Sequence, residues 1–371
     1  MKIEIYKSFN AELELEWVSL EEHSLSATPF QSYTWVYHWF KEVGLTVYGI
    51  DPSIVRVSIE NTTHLILPFG IRSYKGFKVL EWMGGIQSDY MIPLSLEGSS
   101  ILTKNFDKTW FLINKKLPPY DLMYLTKQID FLGEIQNPFV TYFPNFHLTN
   151  SYQAILESNW DEFIEKNIKK KVINDSRRQL RRISELGNLR FVVAENKSEI
   201  VEIINTMISQ KSRRYRETGN WDMFEIKEYR NLYKKLNQDL GYLGKVHVSA
   251  LYLDEKIIST HWGFISSDYF YYLMPTHDGE SYKKFSPGRL LLENLIKWST
   301  EKRIRVFDFT VGNEDYKKVW TNSVITLSES VNPVTFKGVI FSLFLKLKYK
   351  INKMTLVGNV AKKIYNLLRK S

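Results

Sequence analysis

Two stretches of this 371-residue chain set out the same order of elements, and that repetition narrows its possible folds more than any other feature. In the first, "SIVRVSIENTTHLILPFGI" reads as a hairpin, two β-rich runs meeting around Asn61 and Thr62. "FKVLEWMG" follows as a third strand, "SSILTKNFDKTWFLINKK" as a helix and "YDLMYLTK" as a fourth strand. In the second, "KVHVSALYL" and "KIISTHWGFIS" form a hairpin around Asp254 and Glu255, and "DYFYYLMP" is the third strand. A helix from Pro287 to Glu301 and the strand "RVFDF" complete the series. Shared order without shared sequence reads as a structural duplication whose halves have taken different roles.

The remaining segments fit around these two units. "PFQSYTWVYHWFKEVG" is a helix closed by Gly44. Residues 156–240 are mainly helical: Trp160, Phe163, Ile164 and Ile168 recur at helical spacing, and "DSRRQLRRISELG" runs to a stop at Gly187. The strand "LRFVVA" then precedes a long helix through "EIVEIINTMISQKSRRYRETG". The expected fold is α/β (α+β), two similar units in tandem, each a mixed, mainly antiparallel sheet flanked by helices. The expected boundaries are 1–155, 156–333 and a basic amphipathic tail over 334–371.

Charge and composition exclude several function classes. Hydrophobic residues at 44% and aromatics at 15% supply a substantial core. There is no cysteine, which removes disulfides, thiolate metal sites and a cysteine nucleophile, and fits a reducing compartment. The net charge of +9 is not spread along the chain. Val334–Ser371 holds nine lysines and arginines and no acid, so the body is close to neutral and a broad DNA-binding surface is not expected. The N-terminus has no apolar signal-peptide core, and no apolar run reaches membrane-spanning length, so the expected location is cytoplasmic. The seven histidines show no metal-ligand spacing with carboxylates; no metal is expected.

The helix start in "YKKFSPGRLLLENLIKW" carries the first candidate site. Ser286 suits the N-cap, where its hydroxyl accepts a backbone N–H, and Pro287 suits the first helical position. Gly288 leaves the remaining N–H groups uncovered, and Lys283, Lys284 and Arg289 stand close in sequence. Two readings stay open here: an ordinary capped helix, or an anion seat at the positive end of the helix dipole. Apolar residues at Leu291, Leu292, Leu295, Ile296 and Trp298 bury one face in either case.

Two further clusters carry chemistry. In "IISTHWGF", alternation places Ile258, Thr260, Trp262 and Phe264 on one face and Ser259, His261 and Gly263 on the other. Small neighbours would leave room beside His261, whose neutral imidazole suits proton removal from an ammonium; the alternative is a core histidine. In "FDFTVGNEDYKKVW", Asp308 lies between two phenylalanines, and a carboxylate there needs a partner or a purpose. Gly312 permits a turn at the strand end, and Glu314, Tyr316 and Lys317 follow within reach of it, where ligands collect in open α/β sheets. Glu314 or Asp308 suits a base, Tyr316 a proton donor and Lys317 an anion contact; the alternative is a capped turn with solvated charges. Arg213, Arg214 and Arg216 end a helix, either offsetting its dipole or touching phosphate.

Taken together, "STHWGF", "FYYLMPTHD", "YKKFSPGRLLLENLIKW", "FDFTVGNEDYKKVW" and "QKSRRYRETG" resemble the GNAT N-acyltransferase superfamily over about residues 155–330. The nearer resemblance is to the CelD-type acyltransferases linked to cellulose and surface-polysaccharide biosynthesis, relatives of the FemAB aminoacyltransferases. "PFQSYTWVYHWF" and "GGIQSDYMIPL" extend it more loosely into the first half. The resemblance implies acyl-CoA lying where two strands splay apart, its pyrophosphate on Lys284, Ser286, Pro287, Gly288 and Arg289. It departs from the superfamily's Q/R-x-x-G-x-G/A pattern in having only Gly288. It also implies an active cleft holding His261, Asp308, Glu314, Tyr316 and Lys317. The implied reaction is direct transfer of an acyl group, acetyl first, to an amine on a sugar, glycan precursor or related acceptor. The first unit would then serve acceptor binding or structure. Two alternatives stand beside it: a FemAB-like enzyme taking an aminoacyl group from tRNA, and a non-catalytic polysaccharide-assembly component.

The tail places Phe336, Ile340, Leu343, Phe344, Leu347, Ile351 and Met354 near helical spacing among lysines, and "NVAKKIYNLLRKS" repeats the style. Either it lies on an anionic membrane surface, making the protein peripheral to the inner face, or it packs on the body with its lysines solvated.

Overall fold

A computed structural model describes residues 1–24, 28–239, 244–266, 268–347 and 349. The first half opens with β1 (Lys2–Tyr6), α1 (Ala11–Glu22) and α2 (Tyr33–Trp39). Six strands follow: β2 (Ile50–Pro52), β3 (Ile54–Ile59), β4 (Thr62–Leu67), β5 (Phe69–Tyr74), β6 (Phe77–Trp82) and β7 (Leu94–Ser95). The helix α3 (Phe106–Lys116) then leads to β8 (Leu122–Ile129), the short pair β9 (Phe131–Leu132) and β10 (Ile135–Gln136), α4 (Pro138–Thr141) and β11 (Asn145–Ile155).

The second half begins with α5 (Trp160–Asn167), α6 (Lys170–Ser184), β12 (Leu189–Val193), α7 (Lys197–Thr218) and α8 (Lys227–Asp239). Its strands β13 (Val246–Leu253), β14 (Lys256–Ser266), β15 (Tyr269–Tyr272) and β16 (Thr276–His277) precede α9 (Pro287–Glu301). β17 (Val306–Val311), α10 (Lys317–Trp320) and β18 (Ser323–Pro333) close it.

The mixed α/β architecture expected from the sequence is present, and so is the repeated order. In each half a third strand runs through a helix into a parallel neighbour: β6 pairs β8 around α3, and β15 pairs β17 around α9. The halves differ at the hairpin. β14 continues unbroken for 11 residues, whereas the matching run in the first half is interrupted at Pro68, which has no N–H for a ladder. β4 therefore joins a small sheet ordered β1-β3-β4-β7, and β5 crosses into the main sheet. The turn between β3 and β4 falls on Glu60 and Asn61, both at positive φ, as a tight hairpin of this twist requires.

The two halves share one main sheet, in the order β12-β13-β14-β15-β17-β11-β18-β8-β6-β5-β2. They are interleaved at its centre. β11, which ends the first half, pairs β17 of the second; β18, the last strand, pairs both β11 and β8. Over one face of this sheet lies a core built from both halves, with Trp35 and Trp39 of α2 meeting Trp262 and Phe264 of β14 and Tyr233 and Leu236 of α8. α9 covers the opposite face of the second half through Leu291, Leu295 and Ile296 on Phe270 and Phe307.

One alternation differs from the sequence reading. A bulge at the Leu251–Tyr252 step of the ladder shifts Ile258 onto the face of His261, while Thr260, Trp262 and Phe264 keep theirs. The tail is helical over 336–347 and packs on the sheet through Phe341, whose ring stacks on Phe77 at 4.8 Å. The expected second tail segment, "NVAKKIYNLLRKS", lies outside the described residues.

At the middle of β14, a Cβ on Gly263 would sit 2.1 Å from the Tyr271 carbonyl oxygen and 2.7 Å from the His261 ring. Gly263→Ala is therefore expected to cost ~1–3 kcal/mol or more by overpacking, read as a lower urea midpoint. A wild-type midpoint would show that this close approach of strand and imidazole is not a constraint.

Candidate functional site

β15 and β17 run in register for only three residue pairs, Tyr269 with Val306, Phe270 with Phe307 and Tyr271 with Asp308. They then part. β15 bulges through Leu273–Pro275 to reach β16, which pairs β14, while β17 continues to Val311 along β11. The gap is a cleft of about 260 Å³ with Tyr272–Pro275 on one lip and Thr310 and Val311 on the other. Glu314, Tyr316 and Lys317 close it beyond β17; Gln87 and Asp89 of the first half and Lys211 and Tyr215 of α7 close it from above.

Lys317 owes its place to two unusual backbone positions. Thr310 has φ +58, a region a β-branched residue rarely occupies, and its N–H donates to Asp308 Oδ1 at 2.7 Å. That bend turns the last carbonyls of β17 toward the Lys317 ammonium, which donates to Val311 O at 2.8 Å and lies 3.1 Å from Glu314 Oε2. Gly312 has φ +137, and a Cβ there would meet Glu314 Oε2 at 2.2 Å and Lys317 Nζ at 2.8 Å. Only glycine lets both side chains close against the strand end. Lys317 is 4% exposed, so this ammonium is held at the cleft wall rather than in solvent.

Asp89 and Lys211 were not singled out in the sequence. Asp89 follows a turn made by Gly84 and Gly85, both at positive φ, and lies 3.8 Å from the Lys127 ammonium. Burial raises its pKa, and Lys127 and the Thr310 hydroxyl hold the rise in check. Lys211 donates to Pro275 O at 3.4 Å on the lip of the cleft. Burial pushes its pKa down to about 8, opposed by Glu314. Both lie in stretches that the sequence marks, "GGIQSDY" and "QKSRRY"; a polar residue after a glycine pair and a lysine beside three arginines were the available signals.

Asp308 is fully buried and faces away from this cleft, onto a larger cavity of about 650 Å³ lined in part by Tyr90, Gln153, Tyr271 and Glu21. The Tyr90 hydroxyl donates to it at 2.8 Å, Gln153 Nε2 at 2.9 Å and the Thr310 N–H at 2.7 Å. Burial nevertheless lifts its pKa to about 6. Asp308 thus joins the two sides of the wall: its carboxylate binds Tyr90 and β11 while its chain neighbour shapes the cleft.

His261 is not brought to either cavity. Its ring is fully buried on the α9 face, stacked on Tyr272 at 4.9 Å and Phe270 at 5.2 Å, so the space beside Gly263 is filled by the imidazole itself. Neither ring nitrogen has a hydrogen-bond partner, and the same holds for His247, 5.6 Å away. Burial drives His261 well below the ordinary imidazole range, with His247 adding to it, and pushes His247 down to about 3.

The start of α9 also differs from expectation. Ser286 has φ +53 and its hydroxyl makes no capping bond; its carbonyl instead accepts from Arg289 and Leu290 N–H, and Pro287 is buried. The Gly288 Cα faces the His277 ring, 3.3 Å from where a Cβ would stand. Arg289 is paired with Asp175 of α6 at 2.6 Å, and Lys284 lies over the Phe285 ring at 5.0 Å. Arg213, Arg214 and Arg216 each pair with an acid, Glu217 or Asp222. No cluster of three metal-ligating side chains occurs among the described residues.

Residues 170–318, less than half of the chain, match the family described as acetyltransferase (GNAT) domain. No curated protein matches the chain. Among solved structures, FemX is similar with TM-score 0.59 and 11% identity, covering 88% of this chain and 97% of its own. The L-PGS of Bacillus licheniformis gives TM-score 0.54 and 10% identity over 93% and 98%. A conserved protein of unknown function from Bacteroides thetaiotaomicron gives 0.53 and 10% over 89% and 99%. At these identities the likeness is one of fold.

The two buried imidazoles make a pH prediction with a definite sign. Their folded pKa values lie below the ordinary one, so below about pH 6.5 the unfolded chain takes up protons that the folded chain refuses. Stability carried by these groups is present above that pH and is lost as pH falls toward 3. Glu21, Glu81, Glu293 and Asp308, all raised by burial, contribute with the opposite sign, so a bulk melt mixes the two. Nitrogen-15 imidazole spectra separate them: two histidines are expected to remain neutral at pH 5. Titration of all seven by that pH would contradict their burial.

Proposed function

With an acetyltransferase (GNAT) domain set in a FemX-like fold as the premise, we propose that this protein transfers an acyl group from an activated carrier to a primary amine in the cleft between β15 and β17. The observation that carries the proposal is the parting of these two parallel strands around a cleft walled by Asp89, Lys211, Glu314 and Lys317. An acyl chain laid along the parted strands would present its carbonyl to this wall.

Each charged group has a role that its surroundings suit. Asp89, its basicity raised by burial, accepts the proton of the attacking ammonium. The amine nitrogen then bonds to the acyl carbon, and Lys317, already held to two carbonyls, meets the developing oxyanion. The carbon–sulfur bond breaks, or the carbon–oxygen bond of an ester donor; Lys211, poised at about 8, protonates the leaving group and takes back the second proton that the nitrogen loses on becoming an amide. No covalent enzyme intermediate is needed, which agrees with a chain that has no cysteine. Asp308 acts through Thr310 rather than on substrate, and Glu314 balances Lys317.

Acyl-CoA is the donor that the matched domain suggests, with an amino sugar or glycan precursor as acceptor. One observation favours a second donor. α6 carries Lys170, Lys171, Arg177, Arg178, Arg181 and Arg182 against a single acid, Asp175, and that acid neutralises Arg289 at the expected pyrophosphate seat. A long basic surface beside a partly neutralised seat suits a polyanionic carrier, an aminoacyl-tRNA.

Thermal-shift titrations with acetyl-CoA and with charged tRNA discriminate the donors: stabilisation by acetyl-CoA supports the first, by charged tRNA alone the second. Stabilisation by neither would overturn acyl transfer. With the active donor, Asp89→Asn and Lys317→Ala are expected to lower kcat by about 10²–10⁴ while the protein stays folded at the assay temperature, the Lys317 variant with a lower Tm because its carbonyl and Glu314 contacts are lost. His261→Phe, which keeps the ring stack, is expected to stay within about threefold of wild type. The reverse pattern would move the chemistry to the other face of the sheet.

A further inference from the structure

The helix over residues 336–347 has two apolar faces, and among the described residues the body of the protein packs against one of them. Thr335 starts it, accepting the Gly338 N–H at 3.1 Å and donating to Asp121 at 2.7 Å. Its inner face is Gly338, Phe341, Ser342 and Leu345. A Cβ on Gly338 would fall 1.8 Å from the Asp121 carbonyl oxygen, and Phe341 is buried against Phe77, Val79 and Val331. The helix is thus seated on the sheet by contacts that fix which way it faces.

The outer face is Phe336, Val339, Ile340, Leu343, Phe344 and Leu347. At 3.6 residues per turn these fall in one stripe, about 180° from the inner face. All six are exposed, Phe336 at 80% and Leu343 at 59%. An amphipathic surface helix normally turns charge to water opposite its core face; here that position holds large apolar side chains. Lys337 and Lys346 stand at the two edges of the stripe, both exposed. The chain that follows adds Lys348, Lys350, Lys353, Lys362, Lys363, Arg369 and Lys370, and no acid occurs from Val334 onward.

We propose that this outer stripe docks on an anionic lipid bilayer, lying in its surface with Phe336, Ile340, Leu343, Phe344 and Leu347 among the acyl chains and the flanking cations at the headgroups. Charge complementarity selects this occupant. An apolar stripe alone would fit a partner protein or a second copy, but a second copy would bring the same unbalanced cations against each other. A bilayer containing anionic lipid satisfies both the stripe and the cations that border it. No helix among the described residues is long and apolar enough to cross a membrane. The inference stands apart from the acyl-transfer reading.

Flotation of the full chain on sucrose gradients tests it, with vesicles of phosphatidylcholine alone and of phosphatidylcholine mixed with phosphatidylglycerol. Wild type is expected to float with the mixed vesicles and to stay behind with the neutral ones, and the bound fraction is expected to fall at high salt. The double variant L343D/F344D alters only exposed positions and is expected to keep the wild-type Tm while losing about tenfold in vesicle partition. Equal flotation of wild type and variant overturns the proposal, as does equal flotation on both vesicle types. A wild-type dimer in gel filtration that the variant dissociates, without vesicle binding, would assign the stripe to a second copy and also overturn it.

Discussion

The fully buried carboxylate of Asp308 ties the two halves of this fold to the end of β17. It stands between two phenylalanines whose rings go to the α9 core, so its own side chain must turn to the opposite face. There it is enclosed by donors from three places: Tyr90 from the first half, Gln153 from β11 and the Thr310 N–H from its own strand. A desolvated carboxylate without such partners would cost several kcal/mol; with them it pins both halves to one point. The same bond holds Thr310 at positive φ, and that bend aims the end of β17 at Lys317. Interleaving of the halves and geometry of the cleft therefore meet at one residue.

Much of the scaffold is legible in the sequence because its signal is local. Hairpins, third strands and crossover helices appear as apolar runs of the right period, and "FDFTVGNEDYKKVW" announces a buried acid followed by a charged turn. The strands β11 and β18 are not legible. They sit between the two halves and bury Ser151, Gln153, Ser328, Glu329 and Ser330, so the period-2 apolar pattern is absent where the strands matter most. Polar partners across the sheet replace hydrophobic alternation there, as Gln128 with Ser330 shows.

The candidate site is half legible for the same reason. Glu314, Tyr316 and Lys317 are close in sequence and close in space. Asp89 and Lys211 reach the cleft only through tertiary packing, from segments more than a hundred residues away along the chain. His261 illustrates the converse: small neighbours in a strand mark space, but here the imidazole and the Tyr271 backbone fill it. At Ser286, the residue type suits a cap, yet positive φ turns its hydroxyl away from the first turn and the carbonyl takes both N–H groups. Residue type states what a position can do; the backbone decides whether it does.

Acyl transfer is proposed to take place where β15 and β17 part. A crystal structure with a non-hydrolysable acyl-donor analogue tests it most directly. Transfer there places the acyl carbonyl between Tyr272–Pro275 and Thr310–Val311, its oxygen within hydrogen-bond reach of the Lys317 ammonium. An acyl group seated instead in the cavity beside Glu21 and Tyr90, or outside the parted strands altogether, would contradict it.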